Sequence, residues 1–250
     1  MRFAETLRYF TGELARAGVE LRLGTTVTTQ TLLDEAFDEI VIATGILPRL
    51  PAISGIDHPK VVSYLAVLRD EASVGSRVAI IGAGGIGFDV AEYVSQPGPS
   101  TSLDVAAFNR HWGIDSGLQT SGGLVDPHPA ASPRTVYLLQ CKASKVGGGL
   151  GVTTGWIHRA ELAQRGVHML AGVSYRRIDE EGLHISIGDE EQTLEVDTVI
   201  VCAGQVSRRN LFDELCGHGL SPHLIGGASD AAELDAKRAI RQGTELAASI

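Results

Sequence analysis

Cysteine is scarce in this 250-residue sequence: there are three, Cys141, Cys202 and Cys216, and no two form a C-x-x-C. This excludes a dithiol redox motif, a zinc ribbon and a dense disulfide framework. Three thiols also cannot build a four-cysteine iron–sulfur cluster. Basic side chains are the minority, 21 Lys and Arg against 30 Asp and Glu, for a net charge of −9. A protein that neutralises nucleic-acid phosphates is therefore disfavoured, and no nucleic-acid partner is expected. No apolar run approaches the ~20 residues of a membrane span. The opening MRFAETLRYF is charged from its second residue and has no leader-like apolar core. The expectation is a cytoplasmic protein without a membrane partner. The eight histidines are scattered without ligand spacing, so no metal site is expected. No repeat of roughly 20–50 residues is present.

Glycine, by contrast, is plentiful, with 30 residues gathered in clusters that read as tight turns. Leu7, Phe10 and Leu14 lie at helical spacing in an amphipathic first helix stopped by Gly18. Val19–Leu23 alternates like a strand that Thr25–Thr28 extends, and a short helix is expected over 31–37. The apolar run before Ala43-Thr44-Gly45 reads as a buried strand. A connector follows, with a short helical piece at Tyr64–Arg69. Val78–Ile81, Val136–Leu139, Val167–Leu170 and Thr198–Cys202 read as strands, with helices from Phe88 to Val94 and from Thr154 to Gln164. Residues 96–134 lack periodicity, and Val173–Val196 has the pattern of an antiparallel meander. A last helix is expected from Asp230 to Ser249, with Ser229 as its cap. The class is α/β.

Gly82-x-Gly84-x-x-Gly87, with Gly85 between, stands between an apolar strand and an apolar helix. Gly82 permits the tight turn, Gly84 lets the backbone approach a pyrophosphate, and Gly87 lets helix and strand pack closely. The helix N-terminus then offers N–H groups to the anion, which points to dinucleotide binding. A site for NAD or FAD normally ends its second strand on an acid that holds the ribose 2′-hydroxyl. Here that strand ends Gln140-Cys141-Lys142-Ala143-Ser144-Lys145, without an acid. Lys142, Ser144 and Lys145 suit a 2′-phosphate, so NADP(H) is expected. Two further buried strands end on glycine, at Ala43-Thr44-Gly45 and at Ala203-Gly204, where the chain can leave a sheet beside a flat cofactor. Gly226-Gly227, placed before a helix, is a further candidate contact.

The runs SGIDHPKVVSYLAVLRD (54–70), VAIIGAGGIGFDVAEYVSQPG (78–98) and KASKVGGGLGVTTGWIHRAEL (142–162) extend these motifs into a wider pattern. With HWGIDSGL (111–118) and the closing HLIGG…ELDAKRAIRQGTELA, the sequence resembles the C-terminal part of bacterial NADPH-dependent 2,4-dienoyl-CoA reductases. These are members of the old-yellow-enzyme-like NADH:flavin oxidoreductases, and the resemblance spans essentially the whole chain. It implies a two-dinucleotide flavoprotein architecture, a Rossmann-like NAD(P)-binding domain inserted in a partial FAD-binding domain. Residues 1–70 and 205–250 would be the FAD pieces, and 71–204 the NADP(H) domain with an irregular insertion at 96–134.

The resemblance assigns Val27, Ala43, Thr44, Gly45, Gly226 and Gly227 to the FAD side. It assigns Gly82, Gly84, Gly87, Lys142 and Lys145 to the nucleotide side, and Gly85, Ser144 and Gly204 are further candidate cofactor contacts. It implies hydride transfer from NADPH to FAD, then electron flow through a 4Fe-4S cluster to FMN, in an enzyme of fatty acid β-oxidation. The FMN and the cluster would lie in a (β/α)8 barrel region outside this sequence, supplied as an N-terminal region or by a partner chain. No catalytic acid or base is expected in this chain itself. Cys141 stands where these reductases carry an arginine, and Gly227 where the wider flavoprotein group carries Asp. A first GxGxxG for the FAD pyrophosphate does not occur. The alternative expectation is a stand-alone dinucleotide-binding module that pairs with another flavoprotein chain.

Overall fold

The computed structural model of the chain describes residues 2–232 and 235–250. It opens with α1 (Arg2–Arg16), α2 (Thr29–Glu35), β1 (Val41–Ile42), β2 (Ile46–Pro48), β3 (Val61–Ser63) and α3 (Tyr64–Leu68). Next come β4 (Arg77–Ile81), α4 (Gly85–Ser95), α5 (Val105–Trp112), β5 (Thr135–Leu139), α6 (Gly155–Gln164) and β6 (His168–Leu170). The chain continues through β7 (Val173–Asp179), β8 (Gly182–Ile187), β9 (Glu190–Leu194), β10 (Thr198–Val201) and β11 (Gln205–Ser207). It closes with α7 (Asn210–Gly217), β12 (His223–Leu224), α8 (Gly226–Ser229) and α9 (Ala236–Ala247). Two compact units result: residues up to Gly45 with Ser207–Ile250, and the inserted Ile46–Val206.

The inserted unit is built on a parallel sheet of order β3-β10-β4-β5-β6. Its strands are apolar at consecutive positions because both faces are covered. Along β4, Val78 and Ile80 enter one core, while Ala79 and Ile81 enter the other. On β5, Val136 and Leu138 face the first core, and Tyr137 and Leu139 the second. This is the period of two that a strand imposes on its side chains. The first core is closed by Phe88, Val90, Ala91 and Val94 of α4, Leu162 of α6, and Tyr64 and Val67 of α3. Ile178, Leu183, Ile185 and Leu194 of the antiparallel meander β7-β8-β9 close the second. β2 and β11 pair as a separate two-stranded ribbon.

The outer unit has a small interior. β1 and β12 pair in parallel, Val41 with His223 and Ile42 with Leu224. Ile42, Leu215 and Ala228 form its buried centre, with Leu32, Ile40, Leu211, Phe212 and Leu224 packed around them. α2 starts in a capping box, where the Thr28 hydroxyl accepts the Thr31 N–H and the Thr31 side chain faces the Thr28 N–H. α9 starts on Asp235, whose carboxylate accepts the Arg238 N–H at 2.6 Å.

Several expectations are corrected. Val19–Leu23 and Thr25–Thr28 form no strand and stay exposed, because, among the described residues, the two-residue strands β1 and β12 of the outer unit pair only with each other. The first boundary falls at Gly45/Ile46 and not at 70/71, since Val61–Ser63 joins the five-stranded sheet beside β10. The second falls at Val206/Ser207, within the ribbon strand β11 that follows Gly204. α4 starts at Gly85, three residues before Phe88, with Gly84 as its N-cap. Residues 96–134 are not wholly irregular. They contain α5, capped by Asp104 through Ala107 N–H at 2.7 Å and ended by Gly113 in the left-handed region. At the C-terminal end, the expected single helix is two: α8 ends at Ser229, and Asp235 takes the capping role expected of Ser229. Residues 233–234 of that expected helix lie outside the described residues.

Candidate functional site

The carboxyl ends of β10, β4 and β5 lie side by side, with Val201 opposite Ile81 and Ile81 opposite Leu139. In parallel sheets this edge is where ligands bind. Gly82 leaves β4 with φ +109°, and its N–H donates to the Leu139 carbonyl at 3.0 Å. A Cβ at Gly82 would lie 2.3 Å from the Cys202 carbonyl oxygen, and one at Gly87 would lie 1.9 Å from that of Gly82. Both positions therefore require glycine. Gly84 and Gly85 differ from them: a Cβ at either would meet no heavy atom within 4 Å. The backbone there faces open space, and no side chain caps α4. The first-turn N–H groups of this eleven-residue helix lack partners along the helix itself.

Next to this turn runs the segment after β5. Gln140 organises it, its Nε2 donating to the Lys142 carbonyl at 2.9 Å and to that of Ser144 at 2.8 Å. Gly172 N–H also donates to the Lys142 carbonyl, at 3.1 Å. Cys141, Lys142, Ser144 and Lys145 are exposed, and among the described residues neither lysine is in an ion pair. The arrangement puts two exposed lysines on the strand end next to an uncapped helix N-terminus, a combination suited to a phosphorylated anion.

Two residues near this edge carry no motif in the sequence. Arg159 of α6 donates from Nη1 to the Gly147 carbonyl at 2.9 Å, and with Lys145 and Trp156 it lines an open groove of about 510 Å³. Its place one turn into the helix after a glycine loop was the only signal in the sequence. Tyr175 of β7 brings its hydroxyl to the Leu139 carbonyl at 3.4 Å, with Cys141 beside it. Burial raises the pKa of that hydroxyl well above the ordinary tyrosine range, so it is a donor at neutral pH.

Gly204 ends the β10 segment at φ +93°, and Arg49 covers it. Arg49 Nε donates to the Ala203 carbonyl at 2.7 Å, and Arg49 N–H donates to the Gly204 carbonyl at 3.0 Å. Burial pushes the Cys202 thiol up to about 12, which makes it an inert core residue.

The remaining candidates lie in the outer unit. Val27 is exposed in non-regular chain, and Ala43 and Thr44 are exposed at the end of β1. The Thr44 hydroxyl donates to the Arg208 carbonyl, and Gly45 sits at φ +76°. Gly226 and Gly227 are buried within the four-residue α8. The Gly226 N–H donates to Gln242 Oε1 of α9 at 2.8 Å, so this amide serves the fold. Among the described residues of this unit, no strand, glycine turn and helix follow one another as at 82–87. The residues present do not form a cradle for the pyrophosphate of FAD, so no reaction step is routed through that group.

A cluster of Asp179, Glu181 and His184 stands apart, on the β7–β8 hairpin. Asp179 accepts from His184 Nε2 at 2.8 Å, from Arg177 Nε at 2.8 Å and from the Glu181 N–H at 3.0 Å. These donors hold its carboxyl at about 2. Arg177 supplies a positive charge to the group, which reads as a hairpin clasp.

Comparison with known proteins agrees with this geometry. The family model described as pyridine nucleotide-disulphide oxidoreductase matches residues 11–218. A metal reductase of Desulforamulus reducens is 24% identical over 230 residues, covering 90% of this chain and 33% of the relative. A cinnamate reductase of Clostridium sporogenes is 24% identical over 223 residues, covering 89% of this chain and 28% of the relative. Among solved structures, a 2-naphthoyl-CoA reductase in complex with 2-naphthoyl-CoA matches with a TM-score of 0.75 at 25% identity. That match covers 99% of this chain and 32% of the other. The chain thus spans about a third of the length of the proteins it matches. With its α/β parallel-sheet fold and its glycine turn, the chain belongs to the pyridine nucleotide-disulphide oxidoreductase family.

Proposed function

We propose that this chain is the electron-input part of an NADPH-dependent reductase of the 2,4-dienoyl-CoA reductase type. One observation carries the reading. The uncapped N-terminus of α4, with Gly84 and Gly85 open above it, stands beside a strand end bearing Lys142 and Lys145 and no acid. The family tie supports an oxidoreductase, and the absence of any C-x-x-C argues against disulfide chemistry in this chain. Cinnamate and 2-naphthoyl-CoA, named in the two reductases above, share with a dienoyl thioester a carbonyl conjugated with carbon–carbon double bonds.

When bound, the dinucleotide supplies a hydride. The chain's own residues bind and orient it: the N–H groups from Gly84 to Gly87 hold the diphosphate, and Lys142, Ser144 and Lys145 hold the 2′-phosphate. Gly204 leaves room at the neighbouring strand end for the Arg49 guanidinium. No proton donor or acceptor is assigned to this chain, because the cofactor carries the reaction and the protein supplies geometry. FAD, FMN and a 4Fe-4S cluster would be completed by a barrel-bearing region, continuous with this chain or on a partner chain.

Calorimetric titration with NADPH and NADH in parallel tests the proposal. NADPH is expected to bind more tightly than NADH, and Lys142→Ala or Lys145→Ala to weaken NADPH by about tenfold each, the worth of a charge-assisted hydrogen bond. Tighter binding of NADH would overturn the 2′-phosphate assignment.

A further inference from the structure

We infer that Tyr175 is a positioning residue of the nucleotide site, which holds the end of β5 so that the chain distinguishes a ribose 2′-phosphate from a 2′-hydroxyl. The inference rests on the reading of 82–87 and 140–145 as a dinucleotide site. Tyr175 belongs to the meander, outside the parallel sheet, and by alternation with Val173 it faces the second core. In a regular strand, Tyr175 and Ile178 would face opposite sides. The pairing of β7 with β8 shifts register between Tyr175 and Arg177. Val173, Tyr175 and Ile178 consequently all turn into the same core, while Ser174, Arg176 and Arg177 are exposed. Bulges re-aim side chains in this way.

From this face, the Tyr175 hydroxyl donates to the Leu139 carbonyl at 3.4 Å. That oxygen also accepts the Gly82 N–H at 3.0 Å. One carbonyl thus joins the first glycine of the nucleotide turn, the end of β5 and the meander. The Cys141 side chain lies against the same hydroxyl, and Lys142 follows directly. Gln140 and Gly172 fasten the far side of the loop at the Lys142 and Ser144 carbonyls. Tyr175 fastens its near side. A loop loosened there loses the order of its lysines, which costs a 2′-phosphate more than a 2′-hydroxyl.

The test titrates NADPH and NADH into the full chain, its Tyr175→Phe and Cys141→Ala variants and the double variant, with a thermal melt of each. Tyr175→Phe keeps the ring and its packing. Its NADPH affinity should fall about three- to tenfold while NADH changes by less than about twofold, the range of one hydrogen bond. Its melting temperature should stay within about 2 °C of the parent. The double variant should match Tyr175→Phe alone, because both changes remove one contact. If Tyr175→Phe does not fold, Tyr175→Leu, which also removes the hydroxyl and keeps an apolar side chain against the second core, is titrated in its place with the same expected change in ratio. An unchanged NADPH-to-NADH ratio in the variants, with NADPH still bound, overturns the inference alone, as do effects that multiply in the double variant. A parent chain that binds neither nucleotide overturns the dinucleotide reading, and the inference with it.

Discussion

At the residue scale, the four glycines of the turn separate into two pairs with opposite tasks. Gly82 and Gly87 are glycine because carbonyl oxygens occupy the space of a Cβ, whereas Gly84 and Gly85 leave space above the helix. Gly87→Ala should therefore cost about 1–3 kcal/mol of stability through overpacking. Gly84→Ala, at a φ of −81°, should leave the melting temperature nearly unchanged and weaken NADPH. A melt and a titration of each variant check the contrast, and a stable Gly87→Ala would contradict it. Asp197 offers a pH prediction. It accepts from Ser76 Oγ and Arg77 N–H, each at 2.9 Å, and from the Arg77 guanidinium at 3.2 Å, which together hold its carboxyl at about 2. A depressed folded-state pKa contributes stability above the unfolded value near ~4, and that stability is lost as pH falls toward 2. Asp197→Asn should lower the melting temperature at pH 7 and flatten its fall between pH 5 and 2. An unchanged acid limb would count against the clasp between β4 and β10. The role of Gly87 was legible in the sequence because it arises within six residues, against the Gly82 carbonyl, and the turn at Gly82 because its positive φ is local, although the Cys202 carbonyl that also crowds Gly82 is distant in sequence. The roles of Tyr175 and Arg159 were not legible, since each depends on a backbone carbonyl outside its own element, of Leu139 and Gly147 respectively.

At the element scale, the same division by range recurs. β4, its turn and α4 are local and strongly patterned, so the sequence placed them to within a few residues. Val19–Leu23 alternates like a strand and is none, because alternation describes a face and cannot supply the neighbour. α5 escaped for the opposite reason. Its eight residues, VAAFNRHW, are too few for a clear period, and its ends are set by Asp104 and Gly113 instead. Buried His111 fastens α5, with Nε2 at 3.0 Å from Glu161 Oε2 of α6. Asp104→Ala should cost about 0.5–2 kcal/mol of helix stability. Hydrogen exchange should then quicken across Val105–Trp112 and stay unchanged in β4. Equal quickening in both would mean that α5 is no separate feature but part of the main cooperative unit.

At the scale of the whole molecule, two apolar cores and a five-stranded sheet lie in the inserted unit, while the outer unit centres on Ile42, Leu215 and Ala228. Local stability follows buried contact. Amides of β1 and β12 should therefore exchange faster than those of β4 and β5, and equal protection would contradict this ranking. The first division between the units falls at Gly45/Ile46 where the sequence reading sets 70/71, since the pairing of Val61–Ser63 with β10 joins residues far apart in sequence. The carboxyl edge of β4 and β5 is proposed to receive a phosphorylated dinucleotide. Amide-resolved NMR of the full chain during addition of NADPH tests it most directly. The shifts should concentrate at Gly84–Gly87 and at Lys142–Lys145, and NADH should move the second group less. Saturating NADPH that leaves both groups unmoved, or that moves amides elsewhere alone, would contradict the account.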